Sequence, residues 1–147
     1  MINWIEKLED CPNDVDALRE IEALIGTEST TWPVAYITTP FLARAAERVT
    51  ICERAEHALM IGLSFLYSGA HSIDERPKYC PEEVFPAYRE SLQRGVSLLM
   101  EVIPTVKNEG DARWYISALA GLLGWPRLGE LMTYECCIHC GEPLSEE

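Results

Sequence analysis

The residues with the richest chemistry in this sequence lie together near its C-terminal end. Cys137 and Cys140 form a C-x-x-C pair that is followed by glycine, and Cys136 and His139 lie beside them. Two thiolates at this spacing form a tight knuckle whose geometry suits tetrahedral zinc. Because adjacent residues are awkward ligands for one metal ion, Cys137 and Cys140 are the favoured pair, with Cys136 or His139 as a third ligand. Zinc is therefore the one cofactor that the sequence suggests.

This knuckle supplies only part of a zinc site. Structural zinc has four protein ligands and catalytic zinc has three plus water, and the sequence contains no second C-x-x-C. The remaining ligands would come from another segment or from a second copy of the chain across a two-fold axis. The candidates within the chain are Cys11, Cys80, His57 and His71. The alternative is a set of free thiols, or an oxidised Cys137–Cys140 pair, in a loosely ordered tail.

Two other groups of polar residues carry weaker signals. Glu53 and His57 are four residues apart, a spacing that can chelate a metal from one helix face, although we interpret them as an exposed polar face. His71, Asp74 and Glu75 lie in a polar loop, where functional residues often collect. No nucleophile or oxyanion-binding element can be placed beside them, and the sequence has no glycine-rich phosphate loop. We therefore assign no catalytic residue and predict a non-enzymatic protein.

The overall composition indicates a folded, cytoplasmic protein. Hydrophobic residues make up 48% of the 147 residues and charged residues 24%, as in ordinary folded domains. The longest apolar run, residues 58–67, is too short to span a bilayer, and the first ten residues lack a secretory leader pattern. The six cysteines are irregularly spaced, so we expect reduced thiols. Cys11, Cys52 and Cys80 are expected to be small buried residues.

The net charge of −12 is concentrated at the two ends of the sequence. Residues 1–28 hold eight acidic residues against Lys7 and Arg19, a net −6, and residues 128–147 hold five acidic residues and no Lys or Arg, a net −5. Acidic ends repel phosphate backbones and anionic lipids, which argues against nucleic-acid and membrane binding. They would suit a basic protein partner. The alternative is a solvated surface whose charge only maintains solubility.

Apolar residues recur with helical periodicity throughout, and alternating strand patterns are almost absent, so the sequence predicts an all-α protein. Pro40 should kink the third helix or split it in two, and Glu90 with Arg94 should form an outward ion pair. We expect residues 1–134 to form the helical domain and residues 135–147 a short Cys-rich tail. Short connections favour stacked antiparallel hairpins. The predicted helices cover residues 2–8, 14–25, from 31 past Pro40, 51–68, 81–103, from the capping loop 108–111 to Gly124, and from 125 onwards.

Three runs carry a resemblance to a known architecture. They are residues 32–46 (WPVAYITTPFLARAA), 54–59 (RAEHAL) and 115–124 (YISALAGLLG). With the C-x-x-C-G tail, this pattern resembles HEAT-type helical repeats, and more narrowly a loose group of small bacterial repeat proteins, over about residues 30–144. The resemblance implies an α-α superhelix or bundle and an interaction surface. It implies no catalytic residues.

Three functional hypotheses follow. The leading one is a protein-interaction module that grips a basic protein through an acidic helical surface, such as an immunity protein that neutralises a basic toxin. The second is a metal-dependent enzyme or regulator that uses the C-terminal Cys cluster, and the third is a structural homodimer that packs through the apolar helix at residues 59–66. The four tryptophans are expected at the edge of the core, and any that is exposed beside the acidic ends would anchor a partner. They are Trp4, Trp32, Trp114 and Trp125.

Overall fold

The structure, a computed structural model, describes residues 3–26, 33–125 and 142. The described residues contain six α-helices and no strand, which confirms the all-α prediction. The helices are α1 (Asn3–Asp10), α2 (Val15–Gly26), α3 (Pro33–Glu47), α4 (Arg54–Leu66), α5 (Phe85–Val102) and α6 (Glu109–Leu122). The helix predicted after Trp125 and the Cys-rich tail, apart from Glu142, lie outside the described residues. None of the described helices combines the length and the apolar character that crossing a membrane requires.

Helix α4 is the centre of the fold. It packs against α2, α3, α5 and α6, and most of its side chains are buried, including Met60, Ile61 and Phe65. Its second half, residues 59–66, is apolar almost all round, and such a helix needs cover on more than one side. The neighbouring helices of the same chain supply that cover. Consecutive helices also pack in pairs, α1 with α2, α3 with α4 and α5 with α6, as in a stack of hairpins or a bundle.

Close helix contacts around α4 require small residues. A Cβ atom on Gly62 of α4 would lie 2.5 Å from the Cβ of Ala118 in α6. A Cβ on Gly95 of α5 would lie 2.7 Å from Cγ2 of Ile61 in α4. Both distances are far below the roughly 3.5–4.0 Å at which carbon atoms attract most strongly. These two glycines therefore let α5 and α6 approach α4 more closely than any larger residue would.

Helix α3 runs through Pro40 as one helix from Pro33 to Glu47, so the predicted alternative of two separate helices was wrong. Residues on both sides of the proline are buried, among them Thr39 and Leu42 at 0% exposure. Tertiary burial on both sides holds the helix together, although the proline removes one backbone donor. The Thr39 hydroxyl also donates to the Ala35 carbonyl at 3.0 Å, within the turn that precedes the proline.

Helices α4 and α5 both begin later than the periodicity predicted. Arg54, the first residue of α4, donates from Nε to the carbonyls of Ala46 at 2.8 Å and Val49 at 3.2 Å. Its Nη1 forms an ion pair with Glu101 of α5 at 2.9 Å. Through these contacts the Arg54 side chain holds the connection between α3 and α4 together. Residues 51–53 accordingly form a turn before the helix. In α5, Pro86 occupies the first turn, where a missing N–H costs little.

The C-terminal end of α6 matches the sequence prediction. Gly124 has a φ angle of +98°, in the left-handed region that favours glycine. The Trp125 N–H donates to the Ala120 carbonyl at 2.9 Å, and the Gly124 N–H donates to the Gly121 carbonyl at 3.1 Å. These two bonds satisfy carbonyls that a helix end otherwise leaves without donors.

Candidate functional site

The predicted zinc ligands Cys136, Cys137, His139 and Cys140 lie outside the described residues, so the zinc hypothesis stays a prediction. Within residues 3–26 and 33–125, no group of three or more His, Cys, Asp or Glu side chains is arranged to hold a metal ion. A zinc site that uses the tail would therefore take only its completing ligands from the described residues.

Two of the four candidate completing ligands are buried. The Cys80 side chain is 1% exposed, and desolvation raises the pKa of its thiol to about 11, which disfavours the thiolate that binds metal. His57 is 0% exposed. Cys11 and His71, in contrast, are exposed. The structure therefore leaves Cys11 and His71 as the accessible candidates.

The prediction that His57 belongs to an exposed polar face was wrong. Its Nε2 lies 2.6 Å from the carbonyl oxygen of Pro12, and its Nδ1 lies 3.1 Å from that of Glu53. The imidazole thus joins the turn between α1 and α2 to the first turn of α4. The Glu53 side chain is exposed and accepts instead from Asn13 Nδ2 at 3.0 Å and from the Thr50 N–H at 3.1 Å. Glu53 and His57 therefore serve the same inter-helix contact and do not form a metal-binding pair.

The expectation of buried cysteines holds for Cys80 and was wrong for Cys11 and Cys52, which are both exposed. Cys11 lies in the turn after α1, where its Sγ donates to Asn13 Oδ1 at 3.3 Å. Cys52 lies in the turn before α4. Hydrophobicity alone could not place them, because both belong to turns whose backbone lies at the surface.

The polar loop at residues 69–79 makes structural contacts. The Asp74 carboxylate accepts from Nε of Arg89 at 2.8 Å and also pairs with Nη2 of the same guanidinium. The Glu75 carboxylate accepts from the His71 N–H at 2.9 Å. The two carboxylates therefore tie the loop to α5 and stabilise its own turn. The Ser72 hydroxyl lies in the same loop and accepts from the Asp74 N–H at 3.2 Å.

A polar cluster in the core could not be recognised from the sequence. The rings of Tyr36 in α3 and Tyr88 in α5 pack edge to face with centroids 5.0 Å apart. Ser64 of α4 lies 3.4 Å from the Tyr88 hydroxyl. Burial, with a smaller effect of Cys80, raises the pKa of Tyr36 to about 12, and burial also raises that of Tyr88. Since both tyrosines are 0% exposed, the cluster stabilises the core and offers no access to a substrate.

The α1–α2 hairpin is the most acidic part of the described structure. Residues 3–26 contain seven acidic residues and two basic ones, Lys7 and Arg19, a net charge of −5. Glu9 pairs with Arg44 of α3 at 3.0 Å, and Asp14 caps α2 by accepting from the Ala17 N–H at 2.8 Å. The other five have no ion pair within the described residues, and all five are exposed. They are Glu6, Asp10, Asp16, Glu20 and Glu22.

The apolar side of the same hairpin faces the core. Leu8, Leu18 and Ile21 are buried. Two contacts attach the hairpin to the end of α3. Glu9 forms the ion pair with Arg44, and Nη1 of Arg48 donates a hydrogen bond of 2.8 Å to the Glu9 carbonyl. The acidic side chains are therefore carried on helices that the core and these contacts hold in position.

A groove lies beside this acidic surface, between α2, α4 and α6. Its volume is about 470 Å³, within the range of roughly 300–1,000 Å³ that is typical of binding pockets. Trp114 on the α6 side is 38% exposed. Trp4 packs at the edge of the core as predicted, and Trp125 is 60% exposed. Seven residues line the groove: Glu22, Ile25, Leu59, Met60, Leu63, Tyr67 and Trp114.

The Glu90–Arg94 pair predicted on α5 was wrong. Arg94 instead forms an ion pair with Glu47 at the end of α3. An i,i+4 spacing allows a pair but does not select it over a neighbour on another helix.

Comparisons with known proteins leave function to be inferred from the site itself. No protein-family model, no curated protein and no solved structure matches this chain. The resemblance to HEAT-type repeats accordingly stays a prediction. The charges and contacts of the described residues are the basis for a functional proposal.

Proposed function

We propose that this protein is a non-enzymatic binding module that grips a basic protein through the acidic α1–α2 hairpin. One observation carries the proposal: five exposed carboxylates of this hairpin have no cation partner within the described residues. Four of them form two like-charged i,i+4 pairs, Glu6 with Asp10 and Asp16 with Glu20. A basic partner would supply the missing cations.

These like-charged pairs work against the stability of the isolated protein. Each i,i+4 pair of equal charge destabilises a helix by roughly 0.2–0.5 kcal/mol. The hairpin offsets this cost through its buried face, which includes Leu8 and Ile21. Repulsion of this kind is relieved when cationic side chains bind between the carboxylates. The same field accelerates encounter with a cationic protein at low ionic strength.

An immunity protein that neutralises a basic toxin is the specific form of this proposal. Acidic side chains can occupy the groove of an enzyme that binds an anionic substrate, and so block it. The acidity of this chain and its resemblance to small bacterial repeat proteins support this form. A toxin gene immediately upstream would favour it directly.

The proposal is tested by affinity capture from the source cells at low and high salt, with two matched variants. The first neutralises the hairpin through Glu6→Gln, Asp10→Asn, Asp16→Asn and Glu20→Gln. The control removes the same total charge at four exposed glutamates elsewhere in the described structure: Glu82, Glu83, Glu90 and Glu109. We expect the wild type and the control to capture one basic protein at low salt, and the first variant to lose it. Absence of any basic partner at low salt would overturn the proposal.

The C-x-x-C-G motif is the one observation that favours a second function, a metal-dependent regulator. We propose zinc held by Cys137 and Cys140 with Cys136 or His139, completed by Cys11 or His71, since these two are exposed. Metal analysis of the purified chain should give about one zinc per protein, or one per two chains for a shared site, and Cys137→Ser should abolish it. Cys52→Ser is the matched control. Trace zinc in the wild type would exclude this function.

A further inference from the structure

The groove between α2, α4 and α6 has an apolar floor. Leu59 and Leu63 of α4 and Tyr67, directly after its last residue, follow helical spacing along one face of the groove. Ile25 from α2 closes one side and Trp114 from α6 the other. Leu59, Leu63 and Tyr67 are only partly buried, and Trp114 is 38% exposed. Among the described residues, apolar surface is thus partly exposed along one side of α4.

One carboxylate lines this floor, and two others lie about one helical turn from its lining residues. Glu22 lines the groove directly. Glu56 precedes Leu59 on the same face of α4, and Asp111 precedes Trp114 on α6. Burial raises the pKa of Tyr115, and the negative charges of Asp111 and Glu56 raise it further, which places both carboxylates near that ring. All three carboxylates are exposed and have no ion pair within the described residues.

The groove is built partly from the hairpin that the proposed function assigns to the partner. Glu22 belongs to α2, as do Asp16 and Glu20. The groove and the hairpin therefore share one helix and one sign of charge. A ligand that fits both must be apolar on one side and cationic on the other.

We infer that this groove is the anchor site for an amphipathic helix of the partner, with apolar residues at i, i+3, i+4 and i+7 and lysine or arginine on its flanks. The inference rests on the proposed function and adds the form in which the basic partner is recognised. An apolar groove on a helical protein commonly accepts the apolar face of such a helix. The carboxylates of Glu22, Glu56 and Asp111 would pair with the flanking cations. Trp114, an aromatic residue at the groove wall, would be the main anchor.

The test uses two labelled lysine–leucine peptides of about 18 residues, which is five helical turns. One has its leucines on a single helical face, and the other has the same composition in scrambled order. Binding is measured by fluorescence anisotropy for the wild type, for Trp114→Ala and for Ile116→Ala. Ile116 lies on the same helix, is 41% exposed and does not line the groove. An Asp16→Asn, Glu20→Gln variant reports the charge contribution alone.

We expect the amphipathic peptide to bind at least tenfold more tightly than the scrambled one. Trp114→Ala should remove most of this difference, and Ile116→Ala should keep it. If instead both peptides bound with equal affinity and only the charge variant weakened this binding, the groove assignment would be overturned. The acidic-surface proposal would then stand. Binding of neither peptide would overturn the groove assignment, and the capture experiment would decide the acidic-surface proposal separately.

Two other occupants of the groove would show different results. A second copy of the chain would appear as a dimer in light scattering that Trp114→Ala dissociates. If a segment of the same chain filled the groove, the two peptides would bind with equal affinity. Trp114→Ala would then lower the free energy of unfolding several times more than Ile116→Ala. Either result would overturn the inference.

Discussion

The contact between α4 and α6 makes a quantitative prediction for Gly62→Ala. The added Cβ would lie 2.5 Å from the Cβ of Ala118, about 1 Å short of a favourable carbon–carbon separation. Ala118 is 0% exposed, and its Cβ is attached directly to the helix backbone. It has no torsion through which it could move aside. Relief therefore requires α4 and α6 to separate, and the added Cβ would also lie 3.4 Å from Cδ1 of Leu99 in α5.

Two opposing terms set the magnitude. Alanine is a better helix former than glycine by about 1 kcal/mol. Overpacking a buried contact typically costs about 1–3 kcal/mol, and the rigid neighbour puts this case at the upper end. We therefore expect Gly62→Ala to lower the free energy of unfolding by about 1–2 kcal/mol.

Urea unfolding followed by circular dichroism measures this change. Gly121→Ala is the matched control, because its Cβ would meet the Cδ1 of Leu66 at 3.1 Å, the flexible end of a side chain. It should leave stability within about 0.5 kcal/mol of wild type or raise it slightly. The double variant Gly62→Ala, Ala118→Gly moves the methyl group to the other helix. It should be more stable than the sum of the single changes by at least about 1 kcal/mol.

The account of this interface would be refuted if Gly62→Ala were as stable as the wild type and showed no coupling to Ala118→Gly. These two results together would mean that α4 and α6 do not approach as closely as described.

Three further predictions concern stability. Burial raises the pKa of Cys80 from 9.0 to about 11 and that of Tyr36 from 10.0 to about 12. As the pH rises, the unfolded chain therefore loses these protons before the folded chain does. Their contribution to the free energy of unfolding should be fully present below pH 9 and be lost as the pH rises towards 12. Urea unfolding measured across this range tests this, and a free energy that does not change with pH would contradict it. His57→Ala should cost about 2–4 kcal/mol, because it leaves a cavity and removes the ring that contacts the Pro12 carbonyl, whereas the exposed control His71→Ala should stay within about 0.5 kcal/mol in the same assay. Asp14→Ala should cost about 1 kcal/mol through loss of the α2 cap, and Asp14→Asn should keep most of that stability in thermal unfolding; equal losses would argue against the cap.

The helices could be predicted from the sequence because each buries one periodic stripe. The cover over α4 followed from its apolar second half, and the end of α6 followed from Gly124. The acidic surface was also predictable, since charge composition needs no tertiary information. Helix starts were less accurate, because Arg54 acts through carbonyls and a carboxylate on neighbouring elements.

The remaining features depend on contacts between residues far apart in the sequence. His57 is buried because Pro12, 45 positions away, lies against its ring. Arg94 pairs with Glu47 of α3 and not with its neighbour four residues away. The groove needs Ile25, Leu63 and Trp114 from three helices. No local pattern encodes these neighbours, so they appear only once the helices are packed.

The proposed function requires that the α1–α2 hairpin binds a basic protein. Its most direct test is the affinity of the captured partner for the wild type, the hairpin variant and the matched charge control, measured by calorimetry at two salt concentrations. We predict that the hairpin variant binds the partner at least tenfold more weakly and that its affinity depends less on salt. The control should bind like the wild type, because only charges that contact the partner are desolvated or paired. Equal losses for both variants, or no loss for either, would contradict the claim.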